Sequence, residues 1–127
     1  MDNASTTKVD PEVLKTMLPY FTENYGNPSS IHSFGRDARK AVDTARVNVA
    51  DLISAKDDEI IFTAGGTESD NLAIKGISYL NKDKRTTKGP HIITSVIEHP
   101  GVLETCRHLE TQGFQVKYVP VDNQGIV

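Results

Sequence analysis

What this sequence lacks narrows it first. A single cysteine, Cys106, excludes an internal disulfide framework and suits a reducing compartment, so cytoplasm is the default expectation. No apolar run approaches the roughly 18 to 20 residues that a membrane span requires. Met1-Asp2-Asn3-Ala4-Ser5 has no basic segment followed by an apolar one, so it does not read as a secretory signal. The balance of 14 Lys plus Arg against 17 Asp plus Glu, net −3, gives no electrostatic case for nucleic acid or an acidic membrane surface. No Gly-x-x-x-x-Gly-Lys-Ser/Thr and no Gly-x-Gly-x-x-Gly occurs, so neither a P-loop nor a dinucleotide fingerprint is supported. No pair of histidines stands at metal-ligand spacing with a third ligand, and no metal site is expected.

A chain of 127 residues suits one domain of small size. Residues 1–9 read as extended or turn-like, and residues 11–24 as a helix capped by Asp10 with Pro11 at its first position. Val13, Met17 and Phe21 share a face of it, and Pro19 predicts a kink or an early end. Tyr25 to Ser30 is a loop with strong turn chemistry. Residues 33–54 form a longer helical pattern, with Ala38, Ala41, Val42, Ala45, Val49, Leu52 and Ile53 inward and Arg39, Lys40, Asp43 and Arg46 outward. Then come a buried strand over 59–63, a helix over 67–81 with Leu72, Ile74, Ile77 and Leu80 inward, and a strand over 91–96. The charged run 81–89 reads as a solvated loop. A helix over 99–112 carries Val102, Leu103, Cys106 and Leu109 on one stripe, Gly113 stops it, and 114–119 is a third strand.

This alternation predicts an α/β fold, a parallel sheet covered by helices. Residues 1–30 read as an N-terminal extended segment, helix and loop, and residues 31–127 as the first part of a larger domain. The ending, Val121 to Val127, is a turn followed by the start of an apolar run, so the chain reads as cut. Uncovered sheet edges predict aggregation or tight association with a partner.

The chemistry gathers at two strand ends. Ile60-Ile61-Phe62 stops at Gly65-Gly66, and Thr67 opens a helix. Glycines let backbone approach an anion, and a helix start offers unpaired N–H groups and a positive dipole end. The plainer alternative is ordinary capping, since Thr67 with Asp70 is nearly a capping box. His99 follows the next strand end. Pro100 holds it extended, and an imidazole there is a proton carrier and a stacking plate, or else merely a helix cap. Parallel sheets collect ligands at the carboxyl ends of their strands, so both features fall on one rim. Cys106 sits on an apolar stripe and reads as a small buried hydrophobe rather than a nucleophile. Lys75 lies mid-helix and reads as solvent-facing.

Together, several stretches resemble one family. Asp2-Asn3-Ala4-Ser5-Thr6-Thr7 with Val9-Asp10-Pro11, Gly26-Asn27-Pro28-Ser29-Ser30 with His32, Phe62 to Gly76, and Ile97-Glu98-His99 are similar to the cysteine desulfurases of the NifS/IscS group, class V fold-type I enzymes. The resemblance covers essentially the whole chain. It implies pyridoxal 5′-phosphate as cofactor, L-cysteine as substrate, L-alanine and a protein persulfide as products, and delivery of sulfur to iron–sulfur cluster assembly or thio-modification. It implies a homodimer with sulfur-acceptor or scaffold proteins as partners. Gly66 and Thr67 would contact the cofactor phosphate, His99 would stack on the pyridine ring and move protons, and Asn3 to Thr6 would lie near the substrate.

The departures set a second expectation. The family's Schiff-base lysine in a Ser-x-His-Lys setting, its aspartate at the pyridine nitrogen and its sulfur-accepting loop cysteine have no counterpart here, and the family's Gly-Ala-Thr stands as Gly65-Gly66-Thr67. The chain alone is therefore expected to be inactive. The alternatives are a non-catalytic module, one half of a split enzyme, or a relative of the selenocysteine lyases.

Overall fold

Asp10 begins the ordered elements: its Oδ1 accepts the Glu12 N–H at 2.8 Å, and Pro11 supplies the preset φ of a first helical residue. The structure, a computed structural model, describes residues 5–82 and 91–127. The charged run 81–89 and the Asn3-Ala4 part of the expected substrate segment lie largely or wholly outside the described residues. Contacts group the chain into two units, residues 1–61 and 62–127.

In the first unit, α1 (Pro11–Met17) runs into α2 (Pro19–Thr22). Leu18 keeps helical angles, but Pro19 has no N–H to give, so the expected single helix is split there. Val13, Met17 and Phe21, expected on one face, are all exposed. The long helix α3 (Ser33–Leu52) is capped by His32, whose Nδ1 accepts the Gly35 N–H at 3.4 Å. Its buried residues are Gly35, Ala38 and Ala50, whereas Val49, Leu52 and Ile53 are exposed, contrary to the periodicity. Arg39 and Asp43 pair outward at 3.0 Å. Arg46 is not outward: it is half-buried and donates to the Ile60 carbonyl.

The expected strand over 59–63 is absent. Asp57–Glu59 form a 3₁₀ turn, closed by the Glu59 carboxylate accepting the Lys56 N–H at 2.8 Å. Ile60 then takes extended angles, but no ladder forms among the described residues. A strand is made by its neighbour as much as by its own side chains.

The second unit holds α4 (Gly66–Leu80), β1 (His91–Ser95), α5 (Pro100–Thr111) and β2 (Gln115–Val119). Strands β1 and β2 pair in parallel, His91 opposite Gln115 through Ser95 opposite Val119, with α5 as the crossover. The fold class is thus as expected, an α/β arrangement, but with two paired strands among the described residues instead of three. Gly113, at φ +88°, turns α5 into β2 in a conformation that suits glycine. Under the sheet sit Leu109, Cys106 and Phe114, and Tyr79 meets the Phe114 ring edge-on at 5.8 Å.

Helix α4 departs from expectation. Ile77 is 64 % exposed and Leu80 is 72 % exposed, Leu72 is also exposed, and the one buried residue is Ser78. Of the four residues expected inward only Ile74 is half-buried, and α5 comes against α4 where Thr67 and Asp70 lie beside Gly101.

Tyr118 ties β2 to α5 by donating to Glu110 Oε2 at 2.9 Å. Burial first, then this bond, push its hydroxyl up to about 12. That lies above the ordinary tyrosine value of about 10. The contribution is therefore complete below about pH 10 and is lost as pH rises toward 12. Urea unfolding of Tyr118→Phe against the parent is expected to show a gap of about 1 kcal/mol at pH 8 that closes across this alkaline window. A gap constant to pH 12 contradicts the assignment.

Candidate cofactor site

Helix α4 starts without a side-chain cap. Gly65 is its N-cap residue, and Thr67 already lies in the first turn, so the Thr67–Asp70 capping box does not form. The preceding turn is braced from outside. The Thr63 and Ser69 hydroxyls lie 2.7 Å apart, and Glu68 Oε2 accepts the Ala64 N–H at 2.6 Å. A Cβ placed on Gly65 or Gly66 meets nothing within 4 Å. The helix start therefore opens onto free space, a cavity of about 460 Å³ lined by Ala64 to Glu68 and Asn71.

His99 is built by the chain around it. Pro100 occupies the first position of α5 and keeps His99 extended (φ −54°, ψ 144°). Its Nδ1 accepts the Gly101 N–H at 3.0 Å, and its carbonyl accepts from Val102 and Leu103. The ring is exposed.

The two features meet at Gly101. An alanine Cβ there falls 3.1 Å from His99 Nδ1, 3.4 Å from Thr67 Oγ1 and 3.4 Å from Asp70 Oδ2. A cavity of about 480 Å³ includes Thr67, Asn71, Lys75, His99 and Glu104 in its wall, and it shares Thr67 and Asn71 with the one at the helix start. Gly66 and Thr67 thus line one cavity and Thr67 and His99 the other, with Thr67 common to both.

Two wall residues escaped the sequence reading. Asn71 donates to the Thr67 carbonyl at 2.9 Å. Lys75, expected in solvent, is half-buried in the same wall. The available signal was spacing: Thr67, Asn71 and Lys75 form an i, i+4, i+8 stripe. Cys106 is 1 % exposed, and burial pushes its thiol up, with Glu110 and Glu98 adding to the shift. His32 caps α3, His91 pairs with Gln115, and no cluster of three metal-ligating side chains occurs among the described residues. No helix among the described residues is long and apolar enough to cross a membrane.

The family model for class-V aminotransferases matches residues 1–127, so the chain belongs to that family. More particularly, it is similar to proteins named cysteine desulfurase. It is 57 % identical to cysteine desulfurase IscS of Methanosarcina thermophila over 127 residues, all of this chain and 30 % of that protein. It is 53 % identical to the putative cysteine desulfurase IscS 1 of Bacillus subtilis over 127 residues, again all of this chain and 32 % of that protein. Among solved structures, a NifS-like protein superposes with a TM-score of 0.86 at 42 % identity, covering 99 % of this chain and 34 % of the other. DndA from Streptomyces lividans gives 0.75 at 42 % identity, covering 94 % and 32 %. The chain spans about a third of the length of these relatives. The family's cofactor is pyridoxal 5′-phosphate.

The residues present fit that cofactor. Its phosphate needs donors in open space, which the uncapped α4 start and Thr67 Oγ1 offer, and its flat ring needs a flat neighbour, which the exposed His99 ring offers.

Proposed function

We propose that this chain supplies the phosphate cradle and ring-stacking wall of a pyridoxal-phosphate-dependent cysteine desulfurase. The activity is removal of sulfur from L-cysteine to give L-alanine and a protein persulfide, for iron–sulfur cluster assembly or thio-modification. The observation that carries the reading is the convergence of Thr67 Oγ1 and His99 Nδ1 on the single glycine at 101.

The bound cofactor supplies an electron sink that weakens bonds at the substrate α-carbon. The chain's own residues do the holding. The Gly66 and Thr67 amides and the Thr67 hydroxyl donate to phosphate oxygens, and the dipole of α4 adds attraction. The Asn71 amide, bound to the Thr67 carbonyl, steadies that turn. The His99 ring would stack on the pyridine and help keep water from it.

By itself the chain is proposed to bind but not to turn over. It has no Ser-x-His-Lys lysine, and its one cysteine is buried with its thiol pushed up. The working enzyme is proposed as a cytoplasmic homodimer that passes sulfur to acceptor or scaffold proteins. A second reading is favoured by the exposed Ile77, Leu80 and Ile93: a non-catalytic module or half of a split enzyme that binds a partner chain. Selenocysteine offered beside L-cysteine separates the selenocysteine-lyase relative.

Titrating the chain with pyridoxal phosphate and with unphosphorylated pyridoxal tests the cradle. Thr67→Val is expected to weaken the phosphorylated form at least about tenfold, from losing a hydrogen bond to a charged group, and to leave pyridoxal unchanged. Equal effects on both ligands overturn the phosphate assignment. Alanine released from L-cysteine by the chain alone overturns the inactivity. Turnover restored by adding a chain that carries the lysine and loop cysteine supports the split enzyme, and continued silence counts against it.

A further inference from the structure

A histidine that caps a helix through its ring has one nitrogen committed. The Gly101 N–H points at His99 Nδ1 across 3.0 Å, so Nδ1 is the acceptor. A neutral imidazole with an accepting Nδ1 carries its proton on Nε2.

We propose that the Gly101 amide fixes the tautomer of His99, leaving an Nε2–H edge and a ring face as what this histidine offers to the cavity. Its functional meaning rests on the reading above that His99 meets the cofactor. The ring then works as a stacking plate and a hydrogen-bond donor. It has no free lone pair for taking a proton.

The surroundings support a fixed ring. Gly101 is buried, and a Cβ built on it would fall 3.4 Å from both Thr67 Oγ1 and Asp70 Oδ2, so α4 packs close against this turn. Pro100 has no N–H, so the Gly101 amide is the first donor α5 offers. Among charged and titratable groups, Asp70 of α4 lies beside Gly101, Lys75 of α4 and Glu104 and His108 of α5 line the same cavity as His99, and Glu98 precedes His99 and accepts from the Ser95 hydroxyl. His32 provides an internal comparison. It caps α3 by the same kind of bond to Gly35, at 3.4 Å.

Long-range proton–nitrogen spectra of the ¹⁵N-labelled chain without cofactor test the tautomer. His99 is expected to show a protonated Nε2, an unprotonated Nδ1 and a scalar coupling from the Gly101 amide nitrogen to Nδ1. The corresponding coupling at His32 is expected to be weaker. A proton on Nδ1, or averaging between tautomers without coupling, overturns the proposal. Added pyridoxal phosphate is expected to shift the His99 Nε2–H resonance. If the tautomer is as stated and that resonance does not move, the cofactor reading fails while the cap assignment holds.

Discussion

Gly35→Ala is expected to lower the stability of the 1–61 unit by about 3 kcal/mol, the upper end of the cost of forcing atoms into filled space. An ideal Cβ on Gly35 falls 2.2 Å from the Ser30 carbonyl oxygen, 2.7 Å from Ser30 Cβ and 2.8 Å from the Asn27 carbonyl oxygen. Two of those atoms are backbone, so no rotamer change relieves the clash. The contact is reciprocal: a Cβ on Gly26 falls 2.1 Å from the Phe34 carbonyl oxygen. The 26–30 loop and the first turn of α3 thus lie backbone against backbone. The loop is held in shape by the Asn27 side chain accepting the Ser29 N–H at 2.9 Å and by the Asn27 carbonyl accepting the Ser30 N–H at 2.9 Å. Gly76→Ala serves as the opposite case. It sits inside α4 with nothing within 4 Å of its Cβ, so the same substitution is expected to stabilise by roughly 0.5–1 kcal/mol. Chemical unfolding followed by circular dichroism and by hydrogen exchange reads both. Equal signs at the two positions contradict the packing described.

How much of this was legible in the sequence depends on what each feature answers to. Helix α5 and strands β1 and β2 were legible because periodicity and the Gly113 stop are local signals, and the observed bounds lie within about two residues of those expected. The segment 59–63 has the composition of a strand, but strand pairing requires a neighbour, and no ladder reaches it among the described residues. For α4 the periodicity places Leu72, Ile74, Ile77 and Leu80 inward or nearly so, and Ile74 is half-buried while the other three are exposed. Amphipathicity says which residues share a face, not which face meets α5. The packing of Gly26 and Gly35 gave no local sign either, since a mid-pattern glycine reads only as a weak helix former.

The site divides along the same line. Thr67 and His99 stand out in the sequence because each is read as following a strand end and as opening or preceding a helix, yet of the two strands only the one before His99 forms among the described residues. Their proximity follows from α4 packing on α5 at Gly101, a tertiary fact. Asn71 and Lys75 became wall residues for the same reason, and mid-helix positions carry no local mark of a cavity beside them. The capping alternative for His99 was drawn as a rival to a chemical role. In the structure it is a cap, and the cap is proposed to hold the ring in one tautomer.

Replacing His99 separates those two jobs. His99→Ala removes the acceptor for the Gly101 amide and is expected to cost about 1 kcal/mol of stability, the usual loss when an N-cap side chain is deleted. It also removes the plate proposed to face the cofactor, so pyridoxal-phosphate affinity is expected to fall at least about tenfold and the bound cofactor's absorption band to shift. His99→Asn behaves differently. Asparagine is among the best N-cap residues, and its side-chain oxygen can accept the same amide, so stability is expected to stay within a few tenths of a kcal/mol of the parent. It has no aromatic face, so the cofactor defects are expected to match those of the alanine variant. Thermal unfolding and a spectroscopic cofactor titration on the three proteins give the answer. If asparagine restores cofactor binding along with stability, His99 acts only by holding α5 in place. If neither variant disturbs the cofactor, the ring does not face it, and the shared cavity of Thr67 and His99 has another occupant.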